Sequence, residues 1–228
     1  MNEFSVSYSE LNEFAKSPAH LIRYREEQKE PTTAKIFGRA AHAVILDQPM
    51  DDYFVGKVDR RTNAGKEEAA RIEAEGLTLI SPDDYEEMLA MRHVFIQLTE
   101  GWGEFQREQY FKQEFKGFEI RGRRDIQHPD FVADLKIMAD ASPRSVRNAC
   151  LYDGLAMQAA IYTAEWDYFK PYKIVAIERK TLIGAVYTVS ADTMRAGVVK
   201  LEYLMDRYAS WVMAGRPITG YNYWEDEV

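Results

Sequence analysis

The sequence predicts an α/β fold of mixed α+β organisation, in which helices flank a central β-sheet. Three observations favour this class. Apolar residues follow helical spacing through most of the first hundred residues, and period-two alternation rich in Tyr, Phe, Ile and Val covers residues 107–137. A long amphipathic helix is expected from about residue 192 to 213. The expected order of elements is typical of a mixed core, with helices first, then β-β-β-α-β, and then a final helix.

Helix start signals recur in the N-terminal part of the chain. Ser7-x-x-Glu10 forms a capping box, while Ser17-Pro18 and Ser81-Pro82 each place an N-cap residue before a proline. The polar stretch DRRTNAGK, residues 59–66, is expected to be a mobile loop. The helices expected here begin near 7 and 17 and span 33–47, 67–75 and 81 to about 98.

The alternating region predicts a hairpin that turns at Lys116-Gly117. The elements expected after it are a strand at 131–137, a helix at about 152–167, strands at 172–179 and 185–189, and the helix at about 192–213. Gly215 and Pro217 terminate that last helix.

Composition limits the class of protein further. The 228 residues are 46% hydrophobic and 13% aromatic, which supplies enough apolar surface for a packed domain. No Pro/Gly/Ser linker or repeat divides them. We therefore expect one domain over 1–228, with an N-terminal helical part at about 1–100, a core at about 101–190 and a C-terminal helix at about 191–215.

Charge and cysteine content exclude several functions. The net charge of −8 excludes a protein that coats DNA through an overall positive field. The single cysteine, Cys150, cannot form an intramolecular disulfide or a thiolate-only metal site. The N-terminal MNEFSVSYSE lacks a signal pattern, and no apolar run approaches the roughly 18 residues that span a bilayer. We expect a cytoplasmic protein without a membrane partner.

The most informative segment is RGRRDIQHPDFVADLKIMAD, residues 121–140. Alternate side chains of a strand share a face, so Asp134 and Lys136 point the same way, and Asp125 can meet them from the adjacent strand. Two carboxylates near a backbone carbonyl form a hard oxygen site suited to Mg²⁺ or Mn²⁺, and an ammonium beside them can position or deprotonate a water. The segment predicts phosphodiester hydrolysis, although a lone D-x-K triplet is also typical of a solvated strand face.

Two helical pairs accompany this segment. Gly38 and His42 lie one turn apart in an apolar helix, and Gln158 and Tyr162 lie one turn apart in the helix after the third strand. Taken singly, each has a structural interpretation, as a satisfied core histidine or as polar tips of a helix that caps the sheet. In this order, with Asp125, eight residues and Asp134-x-Lys136, they resemble the RecB-type branch of the PD-(D/E)xK nuclease superfamily.

Further segments narrow the resemblance. SYSELNEFAKSPAHLIRY, IFGRAAHAVILDQP and DLKIMADASPRSVRNACLYDGLAMQAAIY are similar to the RecE, or exonuclease VIII, nuclease domain of phages and prophages, over roughly residues 7–190. The resemblance implies a restriction-endonuclease-like core. Iron–sulfur members of the branch carry a cysteine where this chain has Ser17, so no iron–sulfur cluster is expected. Arg124 replaces the proline of the superfamily's name, a position that shapes the backbone.

The resemblance also assigns roles to residues. His42, Asp125, Asp134 and the carbonyl of Leu135 would bind metal, and Lys136 would orient or activate the water. Glu108, or alternatively Glu114, would be the strand glutamate that supports the site. Gln158 and Tyr162 would hold the scissile strand. Mg²⁺ is the expected cofactor, with Mn²⁺ as a substitute and two ions per site.

Basic residues near these positions are candidates for phosphate contacts. They are Arg39, Arg60, Arg61, Lys66, Arg121, Arg123 and Arg124. By resemblance, the expected activity is ATP-independent 5′-to-3′ degradation of one strand of linear duplex DNA, by a trimeric or tetrameric ring that works beside a single-strand annealing protein. The alternatives are a structure-specific endonuclease and a non-catalytic DNA-binding subunit. The sequence has no Walker P-loop pattern.

Overall fold

The computed structural model describes residues 5–26, 32–168 and 170–221. Within these residues the chain forms a central mixed sheet with helices on both faces, so the predicted α+β class is confirmed. No helix in this part of the chain is both long and apolar enough to cross a bilayer.

Eight α-helices are present in the described residues. They are α1 (Tyr8–Phe14), α2 (Pro18–Glu26), α3 (Thr33–Ile45), α4 (Asn63–Ala74), α5 (Pro82–Leu98), α6 (Pro143–Tyr152), α7 (Leu155–Thr163) and α8 (Ala191–Met213). A single 3₁₀ turn, Ala164–Trp166, extends α7. Start signals identified in the sequence are used as expected: Ser7 closes a capping box with Glu10, and Ser81 caps α5.

Eight strands are present in the same residues. They are β1 (Ser5–Ser7), β2 (Tyr53–Val55), β3 (Thr78–Ile80), β4 (Gln106–Phe115), β5 (Phe118–Gln127), β6 (Val132–Met138), β7 (Tyr172–Glu178) and β8 (Gly184–Thr188). The main sheet has the order β1-β5-β6-β7-β8, with β4 also paired to β5, while β2 and β3 form a small parallel pair. β1–β5 and β6–β7 are parallel, and the other contacts of the main sheet are antiparallel.

Alternation along β6 and β7 separates two hydrophobic cores. Val132 and Ile174 pack into the core that contains residues of α1, α6, α7 and α8. Ala133 and Leu135, on the opposite face, pack with α3 and α5. Since the central strands are buried on both faces, the sheet is sandwiched between two helical layers.

Several expected boundaries were wrong. Residues 143–152 form a separate helix, and Gly154, whose φ is 88°, divides it from α7, so the expected single helix at 152–167 is shorter. The expected loop at 59–66 is helical from Asn63, because Thr62 accepts from the Gly65 N–H and caps α4. The three-residue strands β1, β2 and β3 were not predicted, because such short segments show no alternation.

Candidate active site

The candidate site lies where β5 lacks a partner along one edge. On that edge β1 pairs with residues 119–121 of β5, and β6 pairs with Ile126 and Gln127. Residues 122–125 therefore face a gap between β1 and β6. A hydrogen bond from the Leu135 N–H to Oδ2 of Asp125, 2.8 Å long, crosses the β6 end of this gap.

Three potential ligands meet beside the gap. One ligand atom from each of His42, Glu108 and Asp125 lies within 4.8 Å of the others. α3 supplies the histidine, β4 the glutamate and β5 the aspartate, and Nδ1 of His42 is 3.7 Å from Oδ2 of Asp125. We call these three residues the acidic–histidine cluster. The His42 side chain is 30% exposed, so solvent reaches the cluster at the histidine.

Glu108 is held in an unusual backbone conformation. Its φ is 55°, and it is the one residue of β4 that does not pair with β5, although it lies opposite Asp125 in the register. Left-handed φ values cost free energy in residues with a Cβ and concentrate at functional sites. The Glu108 carboxylate forms an ion pair with Arg123. Glu114, the alternative strand glutamate, is exposed and pairs opposite Glu119 near the hairpin turn.

Asp134 and Lys136 lie on the face of β6 that points toward α7. Oδ2 of Asp134 is 2.6 Å from Nζ of Lys136, and Oδ1 accepts a 2.7 Å hydrogen bond from Nε2 of Gln158. Asp134 is 2% exposed, which leaves it dependent on these two partners. The structure thus joins three of the residues that the sequence analysis singled out, although Asp134 is not part of the acidic–histidine cluster.

α7 closes the gap from one side of the sheet. Gln158 and Tyr162 are both buried, and Cε1 of Tyr162 would lie 3.2 Å from a Cβ added at Gly122. Gly122 is the first residue of the gap, so its lack of a side chain lets the Tyr162 ring approach β5. Phe111 of β4 packs edge-on against the same ring.

Burial and mutual repulsion perturb the acids of the site. Burial, followed by repulsion from Asp134, raises the pKa of Asp125 well above its usual value. Burial also raises the pKa of Glu108. Lys136 responds in the opposite direction, because attraction by Asp134 and Asp125 outweighs its burial and raises its pKa. The Lys136 side chain therefore remains a cation at neutral pH.

His42 remains neutral at the same pH. Burial lowers its pKa from 6.5 to about 4, and this effect outweighs attraction by Asp134 and a hydrogen bond to the backbone of Leu135. A neutral imidazole is the form that binds metal. The carbonyl of Leu135, expected to be a metal ligand, thus lies beside the histidine that shares the expected role.

The donor set fits a divalent cation. Two carboxylates and an imidazole converge. Beside them, each of the buried oxygens Oε2 of Glu108 and Oδ2 of Asp134 has a cationic side chain, Arg123 or Lys136, as its one partner in the described residues. Burial and the neighbouring Asp134 raise the pKa of Asp125, and a cation would offset both effects by stabilising the charged carboxylate. Oxygen donors with one imidazole suit Mg²⁺ or Mn²⁺.

The expected phosphate-binding arginines have different environments. Arg123 is about half exposed beside the cluster, and Arg39 is exposed on α3. Arg121 is ion-paired with Glu10 and donates to Ser5. Arg124 is 2% exposed and donates to the Tyr162 carbonyl, Gln127 and Glu165.

The expectation that Arg124 contacts phosphate therefore needs correction, because its guanidinium is buried and already hydrogen-bonded within the protein. Arg60 pairs with Glu73 in the last turn of α4, Arg61 pairs with Asp59 before the helix, and Lys66 is exposed on that helix. Among the described residues, the ion-pair partners of Arg60 and Arg61 are local acids and not members of the cluster.

Two tyrosines near the site were missed. Tyr8 begins α1 directly after β1, donates to the Asp153 carbonyl at 3.2 Å, and feels the charges of Lys136 and Asp134. Tyr172 of β7 is 1% exposed, and its hydroxyl has no hydrogen-bond partner among the described residues. The capping box at Ser7 fixes where Tyr8 begins its helix, but only the pairing of β1 with β5 places that helix at the gap.

Comparison with known proteins identifies the family and the fold. Residues 7–219 match a family described as a PDDEXK-like domain of unknown function (DUF3799). No curated protein matches. The crystal structure of a presumed exonuclease from Eubacterium rectale is similar, with a TM-score of 0.64 and 16% identity over 95% of this chain and 84% of that one. The structure of SSO0001 has a TM-score of 0.39 and 14% identity over 90% and 77%.

These findings confirm the predicted superfamily. The neighbour with the TM-score of 0.64 shares the fold, and the RecE-like resemblance of the sequence is consistent with both comparisons. The family match spans helices α1 to α8 and strands β2 to β8, together with the last residue of β1. The chain therefore belongs to the family of PDDEXK-like domains.

Proposed function

We propose that the protein is a Mg²⁺-dependent, ATP-independent 5′-to-3′ exodeoxyribonuclease that degrades one strand of linear duplex DNA and leaves 3′ single-stranded tails. The observation that carries the nuclease assignment is the convergence of His42, Glu108 and Asp125 beside Asp134 and Lys136. Family membership supports the same reaction class, and the fold neighbour named as an exonuclease supports the exonuclease over an endonuclease. The direction of degradation depends on the RecE-like resemblance.

The residues of the gap suit an anionic substrate. A phosphodiester gathers further negative charge as its bond is cleaved, so the site must supply positive charge. His42, Glu108, Asp125 and Asp134 would hold the divalent cation, which supplies Lewis-acid stabilisation of phosphate oxygens and lowers the pKa of water. Without such a cation, Asp125 and Glu108 have raised pKa values, and Asp134 lies in an ion pair with Lys136.

Lys136 acts in this proposal as a fixed cation. Because Asp134 and Asp125 raise its pKa, its ammonium donates hydrogen bonds and orients the attacking water without removing a proton. Gln158 fixes the other carboxylate oxygen of Asp134, so the aspartate keeps one orientation. Tyr162 lines the same gap and would contact the scissile strand.

The proposal extends to partners by resemblance. Double-stranded DNA ends would be the substrate, a homo-oligomeric ring of three or four subunits would provide processivity, and a single-strand annealing recombinase would use the 3′ tails. A phage or prophage protein of this kind would act in the cytoplasm of the bacterial host. Arg39 and Arg123 are the phosphate contacts that the geometry supports best, because both border the acidic–histidine cluster.

Digestion of an end-labelled duplex tests the proposal. A linear duplex with different labels at its 5′ and 3′ termini is incubated with Mg²⁺ or with EDTA, beside a covalently closed circle. Mg²⁺-dependent release of label from the 5′ termini with an intact circle is the expected result. Cleavage of the circle would favour the structure-specific endonuclease, and absence of cleavage with Mg²⁺ and Mn²⁺ would favour the DNA-binding subunit.

A further inference from the structure

The outer face of the β4–β5 hairpin leads directly to the acidic–histidine cluster. Tyr110 lies directly opposite Arg123 in the register, so the two side chains share a face. Each is two residues from a member of the cluster, Glu108 on β4 and Asp125 on β5. Two residues of strand span roughly 7 Å, which is about two nucleotides of a stacked DNA strand.

Tyr110 is unusually exposed for a residue next to a buried charged site. Its exposure is 81%, although the Arg123 guanidinium lies over the ring at 5.6 Å from the centroid. Arg123 covers one face of the ring, and the high exposure shows that the other face is open. We call these two residues the Tyr110–Arg123 platform.

A second tyrosine and arginine border the cluster from another element. The charges of Arg39, on α3, and of Arg123 act on the hydroxyl of Tyr53, on β2. Tyr53 therefore lies near both arginines. Arg123, which pairs with Glu108 of the cluster, therefore has two tyrosines in its neighbourhood. This surface has the chemistry of a single-stranded DNA contact, in which bases stack on aromatic rings and arginines bind phosphates.

We propose that the Tyr110–Arg123 platform binds an unpaired nucleotide of the substrate, with the open face of Tyr110 stacked on the base and Arg123 on a neighbouring phosphate. This inference rests on the proposed function for its DNA substrate and adds a base-stacking residue, Tyr110, beside the phosphate contact at Arg123. Arg123 also pairs with Glu108, which holds its guanidinium between the Tyr110 ring and the cluster, where a phosphate of the bound strand would lie.

Binding of short oligonucleotides in EDTA tests the platform without cleavage. Fluorescence anisotropy compares oligo(dT) with an abasic oligonucleotide of the same length, which keeps the phosphates and lacks the bases. Tyr110→Ala is expected to weaken oligo(dT) binding about fivefold or more, since one stacked base contributes that much, and to change abasic binding less than about twofold. Tyr110→Phe keeps the ring and should bind as the wild type does.

Tyr203→Ala is the matched control. Tyr203 is also exposed and has an arginine, Arg207, over its ring at 5.4 Å, but it lies on α8 outside the cluster. This variant should bind both oligonucleotides normally. Three results would overturn the platform. Tyr110→Ala could weaken the binding of both oligonucleotides equally, Tyr203→Ala could weaken oligo(dT) binding as much as Tyr110→Ala does, or Tyr110→Ala could leave oligo(dT) binding unchanged. Since no cleavage is measured, failure of the nuclease proposal would appear separately in the duplex digestion.

Discussion

Two consecutive four-residue segments of strand β5, which we call its first and second halves, have opposite properties. In the first half, residues 118–121, β4 pairs along one edge and β1 along the other, and Phe118 and Ile120 are buried in the hydrophobic core. In the second half, residues 122–125, one edge faces the gap, the β4 ladder is interrupted at Glu108, and Asp125 has a raised pKa. The first half is organised for stability and the second for binding charge.

The difference is clearest in how charges are matched. Arg121 of the first half pairs with Glu10, which also pairs with Arg25, so this buried acid has two cationic partners. At the gap, burial raises the pKa values of Asp125 and Glu108, and the charge of Asp134 adds to both effects. Unfavourable electrostatics of this kind persist only where the surrounding structure enforces them, and they mark functional sites. The following predictions test whether the two halves separate in this way.

The largest effect is expected from removing the cation of the gap. Lys136→Ala should reduce DNA cleavage by about 100-fold or more, because it removes a fixed positive charge next to the reacting phosphate. Initial rates on a linear duplex measure this loss. Circular dichroism should show a folded protein, and the anisotropy of duplex binding should remain close to that of the wild type.

Lys116→Ala is the control from the other end of the hairpin. Lys116 is exposed at the turn before β5 and pairs with Asp206, so its removal should leave the cleavage rate within about twofold, as surface ion pairs contribute little. Full activity in Lys136→Ala would contradict the assignment of the gap as the active site.

Two neighbouring arginines sharpen the comparison within the second half. Arg124 is buried, bonds to the Tyr162 carbonyl, and lies 4.2 Å from the Phe111 centroid. Arg124→Ala should lower the free energy of unfolding by about 2–4 kcal/mol, because it removes packed contacts and leaves buried acceptors unpaired. Arg123→Ala should cost about 1 kcal/mol or less, since half of this side chain is exposed.

Urea denaturation of both variants and duplex-binding anisotropy measure these effects. The expected pattern is a stability defect in Arg124→Ala and a binding defect in Arg123→Ala. The opposite pattern would restore Arg124 as the phosphate contact that the sequence alone suggested.

The fold was predictable because its signals are local. Capping residues, prolines and apolar spacing identified most helices, and strict alternation identified β4, β5 and β6. The short strand β1 was missed, yet it defines one side of the gap, because its position depends on pairing with residues more than a hundred positions away. Gly154 and the start of α6 were also missed, since an αL residue between two helices leaves the helical periodicity nearly intact.

The site was predictable to a different extent. Strand alternation correctly placed Asp134 and Lys136 on one face, and the resemblance to known nucleases brought in His42 and Gln158. Alternation also implied that Arg123 and Arg124 lie on opposite faces, but it could not show which face is exposed. The exposure of Tyr110 could not be anticipated either, because a tyrosine in an alternating strand is more often buried.

The next prediction concerns the free energy stored in the gap. The fold favours the protonated form of Asp125, so its stabilising contribution is present below pH 3.8 and is lost as the pH rises through the raised pKa of the folded protein. Asp125→Asn imitates the protonated form. In EDTA at neutral pH it should raise the free energy of unfolding by about 1–2 kcal/mol, or the melting temperature by roughly 2–6 °C.

The same substitution should abolish the response to metal. Mg²⁺ is expected to raise the melting temperature of the wild type by mass action and to leave Asp125→Asn nearly unchanged. Calorimetric melting with and without Mg²⁺ measures both effects. A variant that is less stable than the wild type in EDTA would mean that the Asp125 carboxylate stabilises the fold.

The effect expected from His42 appears only as the pH falls. Because burial lowers its pKa from 6.5 to about 4, the unfolded chain binds a proton in this interval that the folded chain does not. The contribution of His42 to stability is therefore constant above pH 6.5 and declines as the pH falls from 6.5 toward 4. Asp125 acts in the opposite direction as it gains a proton, so the two effects must be separated by comparing variants.

The comparison of wild type with His42→Gln in EDTA isolates the histidine. Between pH 7 and about pH 4.5 the wild type should lose about 1–2 kcal/mol more stability than the variant, since the partly exposed ring limits the effect of its burial. Urea denaturation at several pH values measures the difference. A constant difference across this range would mean that His42 titrates normally in the folded protein, so that about half of its rings would carry a proton near pH 6.5 and compete with metal there.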